Sequence, residues 1–282
     1  MSIRTIMVAG AGQMGSGIAQ VAAAAGIDVL LYDVYSESVE KSLSGIAKQL
    51  TRNVESKLSE EAKLEILDRI IVSDSLQQVE RADLVIEAIS ENMELKASLF
   101  RNLESICQSH TILASNTSSL PITEIAAVTK RPAQVIGMHF MNPVPVMPLV
   151  EVIRGLETSQ EVCETVFRLA EKMGKTPVEV NDFPGFVSNR ILMPMINEAV
   201  YTVYEGVASI ESVDKVMKLG MNHPMGPLEL ADFIGLDTCL SIMEILYEGF
   251  KDSKYRPCPL LRKYVKAGRL GRKSGQGFYS YN

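Results

Sequence analysis

Residues Gly10-Ala11-Gly12-Gln13-Met14-Gly15 spell G-x-G-x-x-G, and their surroundings constrain the fold more than any other stretch. The apolar run Ile3–Ala9 (IRTIMVA) precedes them and reads as a buried strand, while Gly15–Ala25 follows with helical periodicity. Strand, glycine turn and helix in that order make the unit that cradles a dinucleotide. Gly10 permits the tight turn, Gly12 lets a pyrophosphate approach the backbone, and Gly15 lets the helix pack close to the strand. Gln13 and Met14 lie in the same turn, where the first helical N–H groups and their partial positive charge face the phosphates. The second strand, Asp28–Tyr32 (DVLLY), runs into Asp33. A carboxylate there accepts hydrogen bonds from the adenosine ribose and repels a 2′-phosphate; with no arginine beside it, NAD(H) is favoured over NADP(H). The competing reading is a ligand-free turn with a solvated Asp33.

The alternation continues. Glu37 to about Val54 reads as a helix, a charged segment Glu55–Lys63 follows, and a further helix runs to Ile70. Ile71–Val72, Ala82–Ala88, Thr111–Ser115, Val135–His139 and Leu149–Ile153 read as strands, with a helix over Leu95–Ile106. Strands alternating with helices imply a mostly parallel sheet covered on both faces. After Pro177–Val180 the pattern becomes purely helical: Val187–Tyr204, Ser212–Leu219, Pro227–Phe250 and Leu260–Ala267. The expected fold is α/β, a Rossmann-type domain over residues 1–184 and an all-helical domain over 185–282, hinged at Asn181-Asp182-Phe183-Pro184-Gly185.

Composition narrows the functional classes. A net charge of −6 offers no global field for nucleic acid or an anionic membrane. No apolar run reaches the roughly 18 residues of a membrane span. The chain enters a strand by residue 3, so no targeting segment is expected and the protein is expected in the cytoplasm. Its four cysteines, Cys107, Cys163, Cys239 and Cys258, form no C-x-x-C pair and no zinc pattern, which fits reduced thiols and no metal.

A dinucleotide domain joined to a helical domain frames a dehydrogenase, which needs a base for the hydroxyl proton. The chain has three histidines. His110 lies in a polar stretch and His223 in a loop of the helical half. His139 ends a strand, where ligands of open α/β sheets collect. It is either a core imidazole or that base. Glu151 interrupts the apolar run Leu149–Ile153; either it faces water from an edge strand or it is buried against a partner such as His139. Ser115-Asn116-Thr117-Ser118-Ser119 also follows a strand end. Its hydroxyls could meet a substrate oxygen, and at least one of them is expected to cap the helix starting near Pro121.

The stretches GAGQMGSGIAQ after the first strand, ASNTSSL at 114–120, GMHFMNPVPVMPLVEV at 137–152, NDFPGFVSNRI at 181–191, NHPMGPLELADFIGLD at 222–237 and LGRKSGQGFY at 270–279 together resemble the 3-hydroxyacyl-CoA dehydrogenase family. The resemblance spans essentially the whole chain in order. It is strongest to the family's short bacterial members acting on 3-hydroxybutyryl-CoA. It implies interconversion of an (S)-3-hydroxyacyl-CoA and its 3-keto thioester, with His139 as base, Glu151 as its partner, and Ser118 and Asn189 around the reacting oxygen. It further implies cofactor contacts from Asp33, Glu91, Lys96, Asn142 and Lys273. For the coenzyme A moiety it implies Lys48 and Lys57, for which a solvated helix face is the competing reading. A homodimer through the helical domain is implied as well.

Two other readings stand beside this one. A related 3-hydroxyacid dehydrogenase would carry a catalytic lysine on the helix after the hinge, where this chain has Asn189-Arg190. A non-enzymatic NAD(H)-binding structural protein, like the lens crystallins related to this family, would require a damaged site. Ser118, His139, Glu151 and Asn189 are all present.

Overall fold

Short aliphatic runs build one eight-stranded sheet: β1 (Thr5–Ala9), β2 (Asp28–Tyr32), β3 (Ile70–Ser73), β4 (Leu84–Glu87), β5 (Ile112–Ser115), β6 (Val135–Phe140), β7 (Leu149–Arg154) and β8 (Thr176–Asn181). The computed structural model describes residues 3–52 and 59–281. The chain divides into two units, 1–182 and 183–282, and the sheet belongs to the first. Its order is β3-β2-β1-β4-β5-β6-β7-β8. Every neighbouring pair is parallel except β6 and β7, which run antiparallel. Consecutive residues of the central strands are buried, as Ile6, Met7 and Val8 in β1 and all of β4 illustrate. Both faces are therefore covered, and a continuous apolar run rather than an alternating one is the sequence that suits them.

The covering helices are α1 (Gln13–Ala24), α2 (Ser36–Arg52), α3 (Glu60–Asp68), α4 (Met93–Ile106), α5 (Ile122–Ala127) and α6 (Gln160–Lys172). Helix α6 is absent from the expectations above. Ser159 caps it by accepting from the Val162 amide, and Val162, Val166, Leu169 and Ala170 form its buried stripe. It also has a topological reason: β7 and β8 are parallel, and parallel neighbours need a crossover between them. The serine cluster does not cap α5. The Ile122 and Thr123 amides there donate to the Asp182 carboxylate (3.0 and 2.7 Å), and Pro121, the capping residue, makes no side-chain cap bond.

The second unit comprises α7 (Ser188–Tyr204), α8 (Ile210–Gly220), α9 (Pro227–Ile234), α10 (Leu236–Phe250) and α11 (Pro259–Lys266). Met193, Ile196, Val200, Leu228, Leu236, Met243 and Leu246 form its core. The single helix expected over Pro227–Phe250 is two helices. Gly235 between them has φ +103°, a region that L side chains avoid, so the apolar periodicity survives while the backbone turns. Two buried carboxylates fasten the C-terminal strap. Asp232 accepts from the Phe278 and Tyr279 amides and the Tyr281 hydroxyl; Asp214 caps α9 at Leu228 and Glu229 and accepts from the Tyr279 hydroxyl. Among the described residues no helix is long and apolar enough to cross a membrane.

Candidate active site

Strands β2, β1, β4, β5 and β6 are mutually parallel, so their C-terminal ends fall along one side of the sheet. The chain reverses its order of addition between β1 and β4, which opens a crevice at those ends. Gly10, Asp33, Glu87, Ser115 and His139 all lie at or just beyond these strand ends. At Gly10 (φ +112°) a Cβ would sit 2.4 Å from the Ala88 carbonyl oxygen, and at Gly15 it would sit 1.8 Å from the Gly10 carbonyl oxygen. Those two glycines serve the protein's own packing. At Gly12 a Cβ would meet nothing within 4 Å. Among the described residues no contact requires that glycine, so the space it leaves suits something bound outside the chain. The start of α1 carries no side-chain cap, which leaves its amides for an anion. Asp33 holds the turn: one carboxylate oxygen accepts from the Ala11 amide (2.8 Å), the other from the Tyr35 amide (3.0 Å). Each oxygen keeps lone-pair capacity for a ribose hydroxyl. The fingerprint thus fits a dinucleotide, with Gln13 exposed and Met14 half-buried beside Gly12.

In the β6–β7 ladder His139 stands directly opposite Glu151. Directly opposed residues share a face, and the imidazole Nδ1 lies 2.8 Å from Glu151 Oε2. Glu151 is 2% exposed and His139 8%. β8 flanks β7 on its other side, so Glu151 does not face water from an edge strand. A carboxylate this deeply buried needs a partner, and the histidine meets that need. His110, by contrast, lies exposed, 3.9 Å from Asp83.

A second cluster was only half visible in the sequence. Glu87 ends β4, is 0% exposed, and accepts from the Lys96 ammonium (2.6 Å), the Ser115 hydroxyl (2.5 Å) and the Ile89 amide (2.7 Å). Lys96, on α4, is 1% exposed and also reaches Glu91 Oε2 at 3.3 Å. The other oxygen of Glu91 accepts from the Ser118 amide (2.8 Å) and hydroxyl (3.2 Å), the Thr117 hydroxyl (2.7 Å), and the Ser119 amide and hydroxyl. One lysine thus serves two carboxylates whose environments differ. Burial pushes the Glu87 carboxyl up, and Lys96, Ser115 and Ile89 only partly offset it. Burial acts on Glu91 too, but Lys96 and the donors of Thr117–Ser119 outweigh it and hold that carboxyl below its usual range. The serine loop that fails to cap α5 is therefore organised by Glu91. Asn116 ties the loop to β6 by accepting from the Phe140 amide (2.9 Å). Glu87 is not among the candidate residues named above, and Asn116 lies in a stretch quoted there but without this role; the one available signal for Glu87 is a carboxylate near the end of the apolar run Ala82–Ala88.

Asn142 is brought to the fingerprint. With Pro143, Val144 and Pro145 it forms one wall of a cavity of roughly 460 Å³, opposite Gly12, Gln13, Ser16 and Gly17. Lys41, Ser42, Gly45 and Gln49 of α2 complete it. Lys48 is exposed on the same helix and does not line this cavity; Lys41 does, and sequence reasoning passed over it. Lys57 lies outside the described residues. Asn189 and Lys273 belong to the second unit. Asn189 is buried in the first turn of α7, and Lys273 pairs with Asp237 at 2.6 Å, close to Gly235.

The chain matches two family models end to end. Residues 5–183 match the NAD-binding domain of 3-hydroxyacyl-CoA dehydrogenase, and residues 185–281 match that family's C-terminal domain. The chain belongs to the 3-hydroxyacyl-CoA dehydrogenase family. Its cofactor is accordingly NAD(H), and its fold class is the family's. Among relatives, it is 69% identical to the "Probable 3-hydroxybutyryl-CoA dehydrogenase" of Bacillus subtilis, covering 100% of this chain and 98% of that one. It is 54% identical to the 3-hydroxybutyryl-CoA dehydrogenase of Bradyrhizobium diazoefficiens, covering 99% and 96%. The crystal structure of (S)-3-hydroxybutyryl-CoA dehydrogenase from Ralstonia eutropha superposes with a TM-score of 0.97 at 51% identity, each chain covered in full.

Proposed function

We propose that this 3-hydroxyacyl-CoA dehydrogenase interconverts (S)-3-hydroxybutyryl-CoA and acetoacetyl-CoA, with His139 as the proton-transfer group. The buried His139–Glu151 pair, at the strand ends of a domain that binds NAD(H), is the observation that carries the reading. NAD(H), held at Gly10–Gly15 and Asp33, would supply the hydride chemistry at the thioester's C3. With Nδ1 turned to Glu151, Nε2 is the nitrogen that takes the 3-hydroxyl proton during oxidation and returns it during reduction. General base catalysis of this kind supplies about 10²–10⁴-fold, and positioning supplies the rest. Glu91 holds the Ser118 hydroxyl and amide in place, so Ser118 meets the 3-oxygen from a fixed loop. For Asn189, of the second unit, the family resemblance implies a role at the same oxygen. Lys96, with its ammonium enclosed by Glu87 and Glu91, contributes to cofactor binding by fixing Glu91, and for Asn142 and Lys273 a cofactor contact is what the family resemblance implies.

The Pro143–Pro145 and α2 lining of the cavity suits the coenzyme A arm, beside the Gly12, Gln13 and Asn142 lining that serves the cofactor, with Lys41 at its rim and Lys48 on the exposed face of the same helix. A homodimer through the second unit fits the apolar side chains it exposes, among them Val216 and Leu219 of α8, Val207 and Met221. The decisive assay is absorbance at 340 nm with acetoacetyl-CoA and NADH. Decay of NADH supports the reading; no decay at micromolar enzyme contradicts it.

A further inference from the structure

One lysine that the mechanism does not use holds the connection between the two strands of the dyad. Lys175 precedes β8 and is 8% exposed. Its ammonium donates to the backbone carbonyls of Val144 (2.5 Å) and Met147 (2.9 Å). Burial pushes its amine below the usual lysine range. An apolar side chain would fill the same volume without that cost, so the ammonium is retained for what it binds. It binds two main-chain carbonyls of one turn. Within that turn the Val146 and Met147 amides both donate to the Pro143 carbonyl at 3.0 Å. The Val144 side chain presses on α1, where a Cβ added at Gly17 would come within 2.7 Å of Val144 Cβ. Val144 is therefore fixed twice, by its side chain on the fingerprint helix and by its carbonyl on Lys175. The same segment carries Asn142 and Pro143, walls the 460 Å³ cavity, and joins His139's strand to Glu151's.

We propose that Lys175 is a positioning residue for substrate: it sets the 142–147 segment, and through it the wall of the cavity, without touching the reacting atoms. The kinetic part rests on the function proposed above. Lys175→Met keeps the length and apolar stem and donates nothing, while Lys175→Arg restores donors in the same place. In acetoacetyl-CoA reduction, Lys175→Met raises KM for the thioester about ten-fold or more with kcat within about three-fold, the pattern of lost uniform binding. Lys175→Arg recovers part of that loss. By mass spectrometry, amide hydrogen exchange across residues 142–148 quickens about ten-fold or more in Lys175→Met, while β1 and α1 keep their protection. A folded Lys175→Met enzyme whose thioester KM stays within about two-fold of wild type overturns the proposal, whatever its thermal midpoint. Unchanged exchange across 142–148 overturns it equally. If the wild-type enzyme itself fails to oxidise NADH with acetoacetyl-CoA, the functional reading falls, and the exchange data still decide whether Lys175 holds the segment. Should Lys175→Met not fold, Lys175→Gln is read by the same two criteria.

Discussion

His139–Glu151 and Lys96–Glu87 are both buried pairs of a proton-carrying base and a carboxylate, at 2.8 and 2.6 Å, in the first unit. The first spans two adjacent strands in direct register; the second joins a strand end to a helix. An imidazole can take a proton from a substrate and return it, whereas the Lys96 ammonium is engaged by two carboxylates. Similar burial and similar distances thus yield two different capacities. The dyad is suited to moving a proton, and the Lys96 cluster to holding the loops that flank it. Ser118 illustrates the dependence, since its amide and hydroxyl both rest on Glu91, which Lys96 holds.

That contrast makes predictions of different size. Replacing Lys96 by Met leaves Glu87 buried without its cation and should cost about 3 kcal/mol of unfolding free energy in urea, the scale for breaking a buried pair. A loss below about 1 kcal/mol would mean the pair is dispensable to the fold. Glu151→Gln should invert the pattern: kcat falls about 10–100-fold through loss of the imidazole's orienting partner, while urea stability changes less than in Lys96→Met. Equal damage to stability from both variants would erase the distinction. Smaller still is Asp33→Asn, which weakens NADH binding about ten-fold, or about 1.4 kcal/mol, and narrows the preference over NADPH, as read by cofactor fluorescence titration.

The smallest effect is a pH dependence. The folded Glu91 carboxyl lies below its ordinary 4.5, so it binds fewer protons than in the unfolded chain. Its contribution is fully present above that ordinary value and is lost as pH falls through the lower folded one. Wild type should therefore be more stable than Glu91→Gln at neutral pH by about 1 kcal/mol or less, since this carboxylate is partly solvated, and the gap should close in acid. Glu87 works in the opposite sense. Its raised carboxyl favours the folded state at low pH and loses that advantage as pH rises through 4.5 and above. Thermal midpoints of the two Gln variants against pH separate these signs.

Much of this is legible in the amino-acid sequence, for physical reasons. The fingerprint is local: a strand, three glycines and a helix meet their constraints within one turn. His139 and Glu151 were legible because a carboxylate inside an aliphatic strand demands a partner. Other features depend on contacts distant in sequence. The α5 amides find Asp182 some sixty residues on, so the nearby serines were a reasonable but mistaken choice of cap. Lys175 meets the 144–147 turn only because β8 lies beside β7. Gly235 divides a helix whose apolar periodicity runs through unbroken, and α6 passed unnoticed although its stripe is regular. Lys41 outranks Lys48 at the cavity because of helix phase, which no motif marks.

The most direct test of the central claim measures turnover and cofactor affinity in one variant. His139→Gln should lower kcat for acetoacetyl-CoA reduction by about 10²–10⁴-fold while NADH binding stays within about two-fold of wild type. Near-normal turnover, or a loss of turnover matched by an equal loss of NADH affinity, would contradict the assignment of His139 as the proton-transfer group.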